Sequence, residues 1–143
     1  MAKNWTWIIP ALCLTTGIAQ ADDIECLAKN IYFEARNQPY EGQLAVALVT
    51  MNRVYNSKFP DTVCEVVYQP KQFSWYWDGL SDIPREGEAW ANSIYLAVEV
   101  YVRYKWMDDS VKNTLFFKRE DTPSRYFNSL THIVTIGDHE FFK

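Results

Sequence analysis

Three segments of the chain repeat apolar residues three and four apart, and that period commits most of it to α-helices packed on one another. Ile24, Leu27, Ala28, Ile31 and Ala35 form one stripe. They predict a helix over about 22–36, capped by Asp22 or Asp23 and stopped by Asn37-Gln38-Pro39. Leu44, Ala45, Leu48, Val49 and Met51 or Asn52 form the inner face of a second helix over about 40–55. Ala45 and Ala47 are small enough to let a neighbour approach closely. Ala89, Trp90, Ile94, Ala97, Val98 and Tyr101 supply the stripe of a third helix, which begins near Pro84 and runs to about 105.

Between the long helices, residues 62–68 read as a short helix carrying Cys64, after a loop at 56–60. Residues 69–83 contain Pro70, Gly79 and several aromatics without a period, and so predict an ordered surface loop. Such loops often carry function. After Asp108-Asp109 the pattern changes, and the β-branched and aromatic runs at 114–117 and 133–136 predict short strands. With 143 residues the chain builds one core and not two. The expectation is a mainly helical α+β domain with a small C-terminal β element.

The first 21 residues carry a different signal. Lys3 precedes an apolar stretch over 5–18, interrupted by Pro10 and Gly17, and Ala19-Gln20-Ala21 is a small-x-small site. This pattern predicts a secretory signal peptide over 1–21, cut before Asp22, and an exported mature domain over 22–143. A retained membrane anchor is the competing reading, although the stretch is short and weakly apolar for a span. Lipid attachment at Cys13 lacks the small residue expected just before a lipidated cysteine. Removal of Cys13 leaves Cys26 and Cys64, an even pair in an exported chain, which suggests a disulfide. On the chain-entropy model such a bridge stabilises the fold by about 4 kcal/mol. Two buried free thiols are the alternative.

A net charge of −4, with no basic run and no glycine-rich phosphate loop, argues against nucleic-acid binding. Aromatic residues make up 16% of the chain. Some belong to the core, and others are suited to line a groove in which sugar rings rest on aromatic faces.

Glu34 is the residue with the clearest chemical potential. At 100° per residue it projects about 280° round from Ile24, beside Leu27 at the margin of the apolar stripe. A carboxyl there is partly desolvated, which raises its pKa toward what a general acid needs at neutral pH. The structural alternative is an interfacial glutamate paired with Arg36 or Arg53.

The stretch Cys26-Leu27-Ala28-Lys29-Asn30-Ile31-Tyr32-Phe33-Glu34-Ala35-Arg36 resembles the signature of the SleB-type cell wall hydrolases, the family of spore cortex-lytic enzymes. The likeness continues through Glu41-Gly42-Gln43-Leu44-Ala45-Val46-Ala47 and Asn52-Arg53-Val54. It resumes at Thr62-Val63-Cys64-Glu65-Val66-Val67-Tyr68-Gln69 and Gln72-Phe73-Ser74-Trp75, and closes at Ile136-Gly137-Asp138-His139-Glu140-Phe141-Phe142. The resemblance implies a lysozyme-like fold and cleavage of peptidoglycan between N-acetylmuramic acid and N-acetylglucosamine. It further implies lytic transglycosylation, with Glu34 as acid and then base and no cofactor. Gln72, Ser74 and Trp75 are the expected substrate-binding residues, with Tyr76 or Trp77 as further stacking candidates and Phe73 and Trp75 alternatively as core anchors. A hydrolytic variant of the reaction needs a second carboxylate, for which Asp78 and Glu41 are candidates. One departure stands out. Relatives often carry a histidine before the last strands where this chain has Lys118, which either binds an acidic group of the substrate or is solvated at a strand end.

Two other classes compete. A zinc amidase needs three ligands, and the chain offers His132 and His139, seven apart and on opposite faces if they share a strand. A non-catalytic peptidoglycan-binding module would keep the groove without the reaction. The expected protein is monomeric, periplasmic or extracellular, and in contact with the membrane only through its signal segment.

Overall fold

The computed structural model describes residues 15–107 and 111–143. Among these residues four α-helices, α1 (Thr15–Ala35), α2 (Tyr40–Val54), α3 (Val63–Val67) and α4 (Gly87–Arg103), precede three strands, β1 (Phe116–Arg119), β2 (His132–Ile136) and β3 (His139–Phe142). The strands form an antiparallel sheet in the order β1-β3-β2. The mainly helical α+β expectation holds, and the expected disulfide joins Cys26 to Cys64, tying α1 to α3.

α1 is the axis of the domain. α2, α3 and α4 all pack on it, so its second half is buried on nearly every side. Leu27, Ala28, Asn30, Ile31 and Ala35 are fully buried, a wider surface than the single stripe legible in the sequence. The polar member of that set is satisfied within the core. The Asn30 amide donates to Thr50 Oγ1 at 3.1 Å and its Oδ1 accepts from Trp75 Nε1 at 3.0 Å. Ala45 and Ala47 of α2 are also buried, as close helix packing requires.

Two expectations need correction. α1 does not begin at a cap on Asp22 or Asp23 but continues back to Thr15. Asp23 Oδ1 instead accepts from the backbone N–H of Cys64 at 3.0 Å, so it caps α3 across the disulfide. Thr62 caps the same helix through Glu65 N–H. The inner face of α4 is Ser93, Leu96, Ala97 and Val100, rotated from the predicted stripe and leaving Ile94 and Val98 substantially exposed. Ser93 can be buried because its hydroxyl donates to Ala89 O at 2.9 Å.

Most of the expected signal segment, residues 1–14 with Cys13, lies outside the described residues, as do Asp108 and Asp109. Its expected cut before Asp22 falls within α1, upstream of every buried residue of that helix. Among the described residues, no helix is long and apolar enough to cross a membrane.

The sheet is fixed to the helices at two points. Asn52 Nδ2 donates to Val111 O and Thr114 O, and Arg53 Nε donates to Leu115 O at 2.7 Å, so the end of α2 holds the segment that feeds β1. At the β2–β3 turn, Gly137 has φ +58°, a conformation suited to glycine, and lies against Gln38. Gln38 Oε1 accepts from Asp138 N–H at 2.9 Å and its Nε2 donates to Asp138 Oδ2 at 3.1 Å. That pair pins the hairpin to the α1–α2 connection, beside the end of α1 that carries Glu34.

Candidate active site

Glu34 occupies the last turn of α1 and opens on two adjoining lobes of a surface groove. The larger lobe, about 640 Å³, is bounded by Phe33, Trp75, Leu80, Glu86, Arg119 and His139. The smaller, about 510 Å³, is bounded by Arg53, Gln72, Phe73, Trp77, Phe117 and Lys118. Glu34, Ser74 and Asp78 line both and form the waist between them.

Burial on the central helix dominates the electrostatics at this waist. Desolvation pushes the Glu34 carboxyl up to about 7, against the opposing pull of the Arg53 charge. No ion pair within 4.0 Å joins Glu34 to either arginine considered from the sequence. Arg36 is engaged elsewhere, with its Nε 3.0 Å from Glu86 Oε1. The Arg53 guanidinium is buried and hydrogen-bonds to Leu115 O.

The segment over 69–83, expected to be an ordered surface loop, is held to α1 from both sides. A 3-10 turn at Ser74–Tyr76 puts Trp75 inward, where the ring is 6% exposed and stacks on Phe33 with centroids 4.7 Å apart. At its far end, the Tyr32 hydroxyl accepts from the backbone N–H groups of Arg85 and Glu86, both at 3.1 Å. Both anchors are α1 residues adjoining Glu34, Tyr32 buried and Phe33 half-buried, so the groove wall and Glu34 share one support.

The structure brings Gln72, Ser74 and Trp75 together on the groove with Glu34. Phe73 is a core anchor. Trp75 is one as well, since Phe33 covers one of its faces, and the exposed indole on the groove is Trp77, 54% accessible. Tyr76 packs on Tyr68 and lines neither lobe. Of the two candidate second carboxylates, Asp78 lies at the waist with its Oδ1 accepting from Leu80 N–H at 2.7 Å. Glu41, exposed on the first turn of α2, lines neither lobe.

Lys118 is not solvated at a strand end. It faces Glu140 across the β1–β3 ladder and is ion-paired with it, and its Nζ also donates to Arg119 O at 3.2 Å. The lysine therefore reaches the smaller lobe with its charge already matched. His132 and His139 lie on different strands, at opposite ends of the β2–β3 hairpin, rather than on two faces of one. His132 meets Thr135 Oγ1 at 3.0 Å. His139 is buried against Phe117 and Phe141 and lines the larger lobe, with burial lowering its pKa. Among the described residues no group of three His, Cys, Asp or Glu side chains converges as a metal site.

Sequence reasoning missed the placement of Arg53, which it weighed only as a partner for Glu34, and of His139 in the larger lobe. Both sit inside recognisable motifs, but only the tertiary fold sets them against the groove.

Comparison with known proteins bears on this arrangement. Residues 37–142 match the family described as cell wall hydrolase. The spore cortex-lytic enzyme of Bacillus subtilis (strain 168) is 45% identical over 120 residues, which is 84% of this chain and 37% of that protein. That of Oceanobacillus iheyensis is 34% identical over 135 residues, 94% of this chain and 46% of the relative. The chain thus spans less than half the length of these curated relatives. Among solved structures, the catalytic domain of the Bacillus cereus SleB protein superposes with a TM-score of 0.69 at 32% identity, covering 86% of this chain and 91% of that one. The catalytic domain of the germination-specific lytic transglycosylase SleB from Bacillus anthracis gives the same TM-score at 30% identity, covering 94% of this chain and all of the other.

Proposed function

We propose that this chain, which belongs to the cell wall hydrolase family, cleaves peptidoglycan glycan strands between N-acetylmuramic acid and N-acetylglucosamine, with Glu34 as the acid. The observation that carries the reading is the Glu34 carboxyl itself. It lies at the waist of a two-lobed groove and is held near neutrality by burial, so that it is protonated for part of the time at physiological pH and ionised for the rest. A group poised in this way can give and take a proton in one turnover.

In the proposed reaction the two lobes hold sugars on either side of the scissile bond. Glu34 donates its proton to the glycosidic oxygen, and the electron pair of the breaking C–O bond leaves with that oxygen. Positive charge develops at C1 and is shared with the substrate's own N-acetyl group, as in substrate-assisted glycosidases. The Glu34 carboxylate then takes the proton of the C6 hydroxyl, whose oxygen closes on C1 to give a 1,6-anhydro end. One carboxyl serves both halves, and no cofactor enters. Gln72 and Ser74 are suited to hydrogen-bond acetamido or hydroxyl groups, Trp75 frames the wall, and Trp77 offers a face to a sugar. Residues 1–21 act as an export signal in this reading, and the exported domain works as a monomer outside the cytoplasm.

Mass spectrometry of the soluble products from purified peptidoglycan, digested by the wild type and by Glu34→Gln, tests it. Anhydromuramyl fragments from the wild type alone support the reading. Reducing-end muramic products keep Glu34 but bring in a water, with Asp78 as the group to activate it. Freed stem peptides sink the glycan-cleavage reading.

A further inference from the structure

Arg53 is a buried cation without a matched anion. Its residue is 4% exposed, and among the described residues no carboxylate lies within 4.0 Å of it. Three phenyl rings surround the guanidinium, with its carbon 5.1 Å from the Phe73 centroid, 5.3 Å from Phe59 and 5.7 Å from Phe116. Nε is used on Leu115 O, while Nη1 is buried with no hydrogen-bond partner. A purely structural arginine spends its fork of donors on a carboxylate or on carbonyls. This one is fixed by its Nε and by aromatic faces, leaves Nη1 unspent, and belongs to a residue that lines the lobe containing Glu34.

We propose that Arg53 is the positioning residue that carries Glu34 through its ionised state, a role that rests on Glu34 being the acid in the reaction above. A protonated Glu34 makes no demand on the guanidinium. Once the proton has gone to the glycosidic oxygen, a carboxylate stands in a largely desolvated site, and the fixed charge of Arg53 stabilises it until it removes the C6 hydroxyl proton. Burial alone would make Glu34 a weak acid and an over-tight base, and Arg53 opposes that tendency. In return, the neighbouring Glu34 favours the charged form of Arg53 against the pull of its own burial.

Other charges face the pair. Lys71 and Asp78 come from the loop and Lys118 from β1 into the smaller lobe, and Tyr126 lies near Arg53. Arg36, Asp82, Glu86, Arg119 and His139 face Glu34 across the larger lobe. Arg36, Lys118 and Arg119 are paired with Glu86, Glu140 and Asp121. The charge that acts on Glu34 is Arg53.

The test titrates Glu34 directly, by carbon NMR of glutamate-labelled protein with Glu34→Gln identifying the resonance, beside a pH–rate profile for glycan cleavage. In Arg53→Gln and Arg53→Met, both neutral and the second shaped for the phenyl cage, the Glu34 midpoint rises by about one pH unit or more. Turnover falls about tenfold in step with that shift, with KM little changed. Arg53→Lys keeps the charge, so it keeps the wild-type midpoint and most of the turnover. A midpoint that stays put in a folded neutral variant overturns the inference, and so does a midpoint raised in Arg53→Lys if neither neutral variant folds. A wild type that cleaves no glycan overturns the functional reading instead, and the titration still reports the coupling.

Discussion

The indole Nε1 of Trp75 donates to Oδ1 of Asn30 at 3.0 Å, and Asn30 lies one helical turn before Glu34 on α1. The same asparagine donates to Thr50 on α2. One buried side chain therefore ties the aromatic loop and the second helix to the helix that carries the acid.

That relationship predicts coupled losses of stability. Asn30→Leu strands the Trp75 N–H in the core and should cost about 1–3 kcal/mol. Trp75→Phe removes the other partner and should cost a similar amount, with the double variant less than additive. Urea unfolding monitored by tryptophan fluorescence measures both. Additive losses would show that the bond does not couple loop and helix.

The burial of Glu34 predicts an unusual stability profile with pH. Its folded pKa, about 7, lies above the ordinary carboxyl value of 4.5, so the folded state binds the proton more tightly than the unfolded chain does. The stabilisation is complete below about pH 4.5 and is lost as pH rises through about 7. Glu34→Gln carries no such charge. It should match the wild type near pH 4 and exceed it at pH 8 by about 3 kcal/mol. Denaturant titrations at the two pH values decide this, and equal stability at pH 8 would show that the carboxyl is not desolvated.

Legibility in the sequence divides along physical lines. Periodicity located all three long helices, because three- and four-residue spacing is a local property of the chain. It misjudged the buried face of α4, where Ser93 enters the core by bonding to Ala89 O, while Ile94 and Val98 remain exposed. Hydrophobicity alone cannot register a polar side chain that satisfies itself on its own helix. The margin position of Glu34 was visible, yet its desolvation depends on the 71–86 segment and the strands that wall the groove round it, which no single stripe encodes. Asp23, Lys118 and Arg53 were misjudged for a common reason. Each finds its partner far along the chain, at Cys64, Glu140 and Leu115 respectively.

The Cys26–Cys64 bridge sits where α1 and α3 meet Asp23. Its reduction frees a loop of intermediate length and should cost about 2–5 kcal/mol. A melting midpoint lower by on the order of 10 °C in reductant is expected. The Cys26→Ala/Cys64→Ala variant should show the same loss and no further response to reductant. A variant that melts with the wild type would mean that the fold does not draw on the bridge.

The Lys118–Glu140 pair predicts that the lysine is structural. Both side chains are partly exposed, at 14% and 24%, so the charge interaction is discounted for screening. Lys118→Met leaves Glu140 unpaired on β3 and should destabilise by about 1–2 kcal/mol, with Glu140→Gln restoring most of it in the double variant. If instead Lys118→Met raises KM for glycan without touching stability, the lysine serves substrate binding.

The two tryptophans of the groove wall separate packing from recognition. Trp75 is enclosed, with Phe33 on one face and Asn30 on its N–H, so Trp75→Ala removes a core ring and should cost about 3–5 kcal/mol of stability. Trp77 is 54% exposed in the smaller lobe, and Trp77→Ala should leave the melting curve nearly unchanged. A sugar resting on its face would gain about 0.5–1.5 kcal/mol from the contact, taking aromatic pairs as the guide. Its removal should therefore raise KM for glycan by roughly two- to tenfold at constant kcat. Binding to a soluble glycan fragment, followed by the quenching of tryptophan fluorescence in both variants, distinguishes the roles. Unchanged affinity in Trp77→Ala would move the sugar platform away from the smaller lobe and toward Phe33 and Leu80 in the larger one.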